Sequence, residues 1–165
     1  MKLMLSATLI ALFGFIGYGI SSYYIKRKRF FSSLSNFIRK LKTDIGFSSL
    51  NLENIVVDYL KTAGITNDVR ELLNNFNYCL KKETLTKENL FKSITILSNE
   101  EQDIIFFFFK RLGRIDVFNQ LEELDKFSIR VEECLGQAKE DSKKYCNLYT
   151  KLGVIIGAFV ALIIF

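Results

Sequence analysis

Residues 3–25 read LMLSATLIALFGFIGYGISSYYI, and residues 26–29 read KRKR. The first stretch carries no charge over 23 residues. As a helix rising about 1.5 Å per residue it exceeds the roughly 30 Å of a bilayer's hydrocarbon core. A cleavable signal sequence would have an apolar region of about 7 to 15 residues and an A-x-A-like site, and neither feature is present. The stretch therefore predicts a membrane anchor. Lys26, Arg27, Lys28 and Arg29 follow it directly, and such a basic run stays with the anionic cytoplasmic leaflet. They fix the topology: the N-terminus points outward and residue 26 onward faces the cytoplasm.

The far end repeats the pattern in a shorter form. Leu152 to Phe165 is apolar throughout, 14 residues, or about 21 Å of helix. Tyr145, Leu148 and Tyr149 extend it toward the interface, where Lys151 can snorkel. Lys143, Lys144 and Lys151 mark its near side as cytoplasmic too, so both anchors agree on where the middle lies. Gly153, Gly157 and Ala161 recur every fourth residue, a spacing that lets two helix backbones approach closely in lipid. Ala7 and Ala11, and Gly17 and Ser21, offer similar faces on the first helix. The pattern predicts packing of membrane helices, and leaves open whether it acts within one chain or between copies in a homo-oligomer.

Between the anchors the pattern is helical. Phe30, Phe31, Leu34, Phe37, Ile38, Leu41 and Ile45 recur at spacings of three and four up to Gly46. A second helix is expected from Asn51 to Ala63, with Gly64 at its C-terminal cap, and a third from Thr66 to Lys82. A fourth is expected over Lys87 to Leu97. Ser98-Asn99-Glu100-Glu101 then forms a capping box before an apolar run, Ile104 to Phe109, expected to be buried on every side. From Asp116 onward Val117, Leu121, Leu124, Val131, Leu135, Ala138 and Tyr145 keep one stripe, interrupted by Ser128 and Ser142, into the second anchor. No segment alternates with period two. The predicted fold is all-α: a cytoplasmic helical bundle of about six helices (residues 26–150) between an N-terminal transmembrane helix (1–25) and a C-terminal transmembrane segment (151–165).

The chemistry is narrow. The chain has no His, which removes Ser/His/Asp and Cys/His nucleophilic sites and His-containing zinc sites. Three Cys, an odd number without metal-ligand spacing, fit a reducing cytoplasm. Net charge is +5, concentrated in the run at 26–29, unlike the broad basic face that nucleic acid needs. Glu122, Glu123, Asp125, Glu132, Glu133, Glu140 and Asp141 are interspersed with basic residues and read as the solvated face of a helix. No catalytic, cofactor or metal site is expected, and binding or scaffolding is favoured over catalysis.

Glu101-x-Asp103, an apolar run and then Leu112-Gly113-Arg114-Ile115-Asp116-Val117-Phe118-Asn119-Gln120 resemble the stage III sporulation protein AB family of spore-forming Firmicutes. The resemblance extends over nearly the whole chain through Leu41-Lys42-Thr43-Asp44-Ile45 and the closing Lys151-Leu152-Gly153. Two positions depart from the family pattern: Asn51-Leu52 replaces a Pro-Leu pair, and Phe91 replaces a Trp. The resemblance implies a sporulation protein in the mother-cell membrane around the forespore, one part of a secretion-like channel. It also implies a soluble domain similar to the helical F domain of type II secretion and type IV pilus assembly platforms. Expected partners are a cytoplasmic ATPase, stage III sporulation protein AA, and the other membrane proteins of the same operon. Arg114, Asp116 and Gln120 are candidates for a turn or a partner surface, with Asp116 capping the last helix and Gly113 ending the one before as the alternative. A generic membrane-anchored helical adaptor unrelated to secretion is the competing function.

Overall fold

The structure, a computed structural model, describes residues 2–47, 52–112 and 117–164. Among them there are six helices and no strand: α1 (Lys2–Phe47), α2 (Leu52–Leu60), α3 (Asn67–Lys82), α4 (Lys87–Leu90), α5 (Asn99–Arg111) and α6 (Val117–Ile164). They form two compact units, one from Met1–Lys28 with Gly136–Phe165, the other Arg29–Leu135.

In the 29–135 unit the stripe expected at the start of the bundle is its centre. Phe30, Phe31, Leu34, Phe37, Ile38 and Leu41 on α1 are at most 1% exposed. Each buried side chain of this size stabilises the fold by about 1.5–3 kcal/mol. Phe37 meets Tyr59 of α2 edge-on, and Phe109 of α5 lies between Phe37 and Phe76 of α3 with ring centroids 6.4 and 4.5 Å away. Phe108 stacks on Phe127 of α6 at 3.8 Å. The Tyr59 hydroxyl donates to the Ser33 carbonyl, so its one polar atom is satisfied inside the core.

Local signals explain most helix ends. Ser98 Oγ accepts from the Glu101 amide while the Glu101 carboxylate accepts from the Ser98 amide at 2.8 Å, the expected capping box at the start of α5. α3 ends at Glu83, which takes a left-handed conformation (φ 53°) with its amide turned back to the Leu80 carbonyl. α2, expected to run to Ala63 with Gly64 as its cap, stops instead at Leu60, where the Lys61 and Thr62 amides turn back to the Asp58 and Tyr59 carbonyls. Gly64, at φ 89°, lies in the turn beyond it in a conformation that side chains rarely adopt.

Two further expectations need correction. The fourth helix stops at Leu90, not Leu97. Ile94, Ile96 and Leu97 are all buried, whereas on a helix 94 and 96 would point about 200° apart. An irregular segment lets all three enter the core. Second, α5 is not buried all round: Ile105, Phe108 and Phe109 are inside, but Phe107 is 60% exposed. The acidic face of α6 is solvated as expected, with Glu122, Asp125, Glu132, Glu133 and Glu140 exposed, and it also carries ties to neighbouring helices. Glu132 accepts from Ser35 Oγ at 2.6 Å, Asp125 pairs with Lys42, and Glu123 pairs with Arg111 at 3.2 Å. These charges flank the helix contacts, so neighbouring helices supply their partners.

Candidate functional site: a glycine-packed hairpin

The terminal unit is an antiparallel pair formed by the N-terminal half of α1 and the C-terminal half of α6. Its inside is made of small residues. A Cβ added at Gly153 would fall 2.5 Å from the Phe13 carbonyl oxygen and one at Gly157 2.8 Å from Ile10 Cα, and one at Gly17 would run into the Tyr149 carbonyl oxygen. Real Cβ atoms essentially never come closer than 3.0 Å to a neighbour, so these three positions admit only glycine at this separation. Ala161 is buried on the same face, four residues beyond Gly157. Gly153 and Gly157 thus meet the first helix of their own chain.

The outside is apolar. Leu12, Phe15, Ile16 and Tyr18 on α1, and Ile155, Phe159, Leu162 and Ile163 on α6, are each at least half exposed. A water-soluble pair of helices hides such side chains and shows its small ones; this pair does the reverse. Among the described residues one helix is long and apolar enough to cross a membrane by length and composition, within Asn119–Ile163.

Toward the basic flank the hairpin is tied by polar groups. Ser21 Oγ donates to the Cys146 carbonyl at 2.5 Å and lies 3.1 Å from Thr150 Oγ1, while Cys146 Sγ donates to the Ser21 carbonyl at 3.4 Å. Ser142, a polar break in the α6 stripe, is buried with its hydroxyl 3.6 Å from Cys146 Sγ. One turn on, Tyr24 stacks on Tyr145 and Tyr149 at 5.2 and 6.1 Å. Arg27 then pairs with Asp141 at 2.8 Å, its side chain only 14% exposed. The Cys146 thiol here acts as a hydrogen-bonding partner within the helix pair.

The other candidate residues are placed as follows. Lys26 and Arg29 are exposed and Lys28 is half-buried, whereas Arg27 is committed to Asp141. Arg114 and Asp116 lie outside the described residues. Gln120 is buried beside Phe108, Arg111, Leu112 and Glu123, at the joint between α5 and α6. No group of three or more His, Cys, Asp or Glu is gathered among the described residues in a way that could hold a metal. Cys79 is buried in α3, and burial pushes its thiol up from the ordinary cysteine range. The Arg27–Asp141 pair and the Ser21 clasp were not foreseen from the sequence. The available signal was the set of polar residues, Ser21, Ser142 and Thr150, that interrupt otherwise apolar helix faces.

A family model described as stage III sporulation protein AB matches residues 2–165. Neither a curated protein nor a solved structure matches the chain.

Proposed function

The chain belongs to the stage III sporulation protein AB family, which makes it a sporulation protein, and from that premise we propose that it is a non-enzymatic membrane platform component of a secretion-like channel. In this reading both halves of the hairpin span the mother-cell membrane that surrounds the forespore, and residues 29–135 face the cytoplasm. There they receive movement from the sporulation ATPase, stage III sporulation protein AA, and pass it to the other membrane proteins of the channel. The observation that carries the reading is the inverted hairpin: glycines inside, large apolar side chains outside, basic residues at one end. Such a pair is stable in lipid because close van der Waals contact and satisfied polar groups replace the hydrophobic drive that water would supply. A Phe-filled bundle with clamped charges is a stiff body suited to transmitting force.

Co-purification from sporulating cells tests the coupling. Full-length tagged protein, extracted in mild detergent, is expected to retain the ATPase, and deletion of the gene is expected to block spore formation. Loss of both would leave a generic membrane-anchored adaptor as the better account. Topology has its own check: half-buried Cys134 should resist a membrane-impermeant thiol reagent in intact cells and react after lysis. Cys79 would report nothing, since it is buried in either case.

A further inference from the structure

The 29–135 unit pairs most of its lysines. Lys40, Lys42, Lys61, Lys81, Lys87 and Lys126 each have a carboxylate within 4.0 Å. Of the remaining three, Lys110 lies over the Phe106 ring, and the other two, Lys82 and Lys92, line one cleft. That cleft, about 660 Å³, opens between the last two turns of α3 and the α3–α4 connection, with Asn74, Asn75, Tyr78 and Asn89 among its other walls. No carboxylate is among the residues that line it.

We propose that this cleft is a docking site for an acidic, extended peptide segment of a partner protein. Asn74, Tyr78 and Lys82 are spaced by four on α3 and so form one row along the wall. Lys82 Nζ is 4.6 Å from the centre of the Tyr78 ring, and that ring is 57% exposed, a paired cation and aromatic surface of the kind that anchors interfaces. The opposite wall is held in place: Asn75 donates to the Leu90 carbonyl at 3.2 Å and Asn89 to the Thr84 carbonyl at 3.1 Å. Two of the carbonyls at the end of α3, those of Cys79 and Leu80, are engaged by the amides of Thr84 and Glu83, which lessens the repulsion an anion would meet there. Asn side chains provide both donor and acceptor for a peptide main chain, while the lysines answer its carboxylates. Two lysines are too few to track a nucleic-acid backbone, and the volume suits a short segment.

Full-length protein in detergent micelles, titrated into fluorescein-labelled hexaglutamate and followed by anisotropy, tests this. Lys82→Gln with Lys92→Gln is expected to weaken binding about tenfold at physiological salt. Lys82→Arg with Lys92→Arg should keep it, and Lys143→Gln with Lys144→Gln should leave it nearly unchanged. Circular dichroism of each variant shows whether the bundle is intact. Equal weakening by the Lys143 and Lys144 changes would assign binding to the basic flank of the hairpin and overturn the proposal. So would displacement of the peptide by glycerol 1-phosphate at matched charge, which would make the cleft a phospholipid headgroup site. Failure of these experiments leaves the ATPase co-purification untouched.

Discussion

Replacing Gly153 by Ala is the sharpest perturbation of the hairpin. The new methyl would sit 2.5 Å from the Phe13 carbonyl oxygen, which belongs to backbone and cannot swing aside. Ordinary contact begins near 3.4 Å, so the helices must separate by about 0.9 Å at this level. A radial gap of that size forfeits a quarter to a half of each contact's attraction. A crossing of a few tens of atom pairs, at about 0.1–0.2 kcal/mol each, then loses about 1–2 kcal/mol. The Ser21 and Thr150 hydroxyls, 3.1 Å apart, would separate beyond hydrogen-bonding distance, adding about 0.6 kcal/mol. The expected cost is about 2 kcal/mol, roughly 30-fold in the closed-to-open equilibrium. The chain has no Trp, so Tyr149→Trp gives a clean fluorescence reporter for SDS titration of detergent-solubilised protein. Gly17→Ala should behave like Gly153→Ala. Gly14→Ala should cost much less, since its nearest neighbour is a Val154 methyl at 3.7 Å. Gly19→Ala, with nothing within 4 Å, should be neutral or slightly stabilising through helix propensity. If Gly19→Ala proved as damaging as Gly153→Ala, or if Gly153→Ala were silent, close backbone contact would not be what holds the pair.

Other perturbations address the remaining ties. Asp141→Ala removes a charge-assisted hydrogen bond from a mostly covered Arg27 and is expected to cost about 1–2 kcal/mol in the same titration, a loss that persists in high salt because the guanidinium is shielded from solvent. A loss abolished by salt would mean the pair is effectively at the surface. Ser98→Ala removes the acceptor for the Glu101 amide, and thermal unfolding should register about 1 kcal/mol; no change would mean that α5 is held by packing alone. Burial raises both the Tyr59 phenol and the Cys79 thiol, so the folded state favours their protonated forms. Their contribution is therefore complete below the unfolded pKa values, near 9 to 10, and is lost as pH rises through the higher folded ones. Tyr59→Phe should flatten that alkaline decline in chemical denaturation, and an unaltered pH profile would count against it. At pH 8 Cys79 should react with a soluble disulfide far more slowly than Cys134, and equal rates in the folded protein would contradict its burial. Thr66 Oγ1 is buried without a hydrogen-bond partner, so Thr66→Val should be neutral or stabilising in thermal unfolding.

What the sequence determined by itself is whatever depends on near neighbours along the chain. Apolar side chains at spacings of three and four made the helices, because that period places them on one face, and Ser98 with Glu101 marked a helix start three residues apart. The family is also written in the residues, over 2–165. Where local and tertiary preferences conflicted, the core prevailed: Ile94, Ile96 and Leu97 leave the helical pattern because all three enter the interior. Only the tertiary structure decided the pairings across long separations. Gly153 meets Phe13, Asp141 meets Arg27, and Lys82 and Lys92 reach one cleft. A residue's partner on another helix depends on rotation and register between helices, and the periodicity of a single helix contains neither.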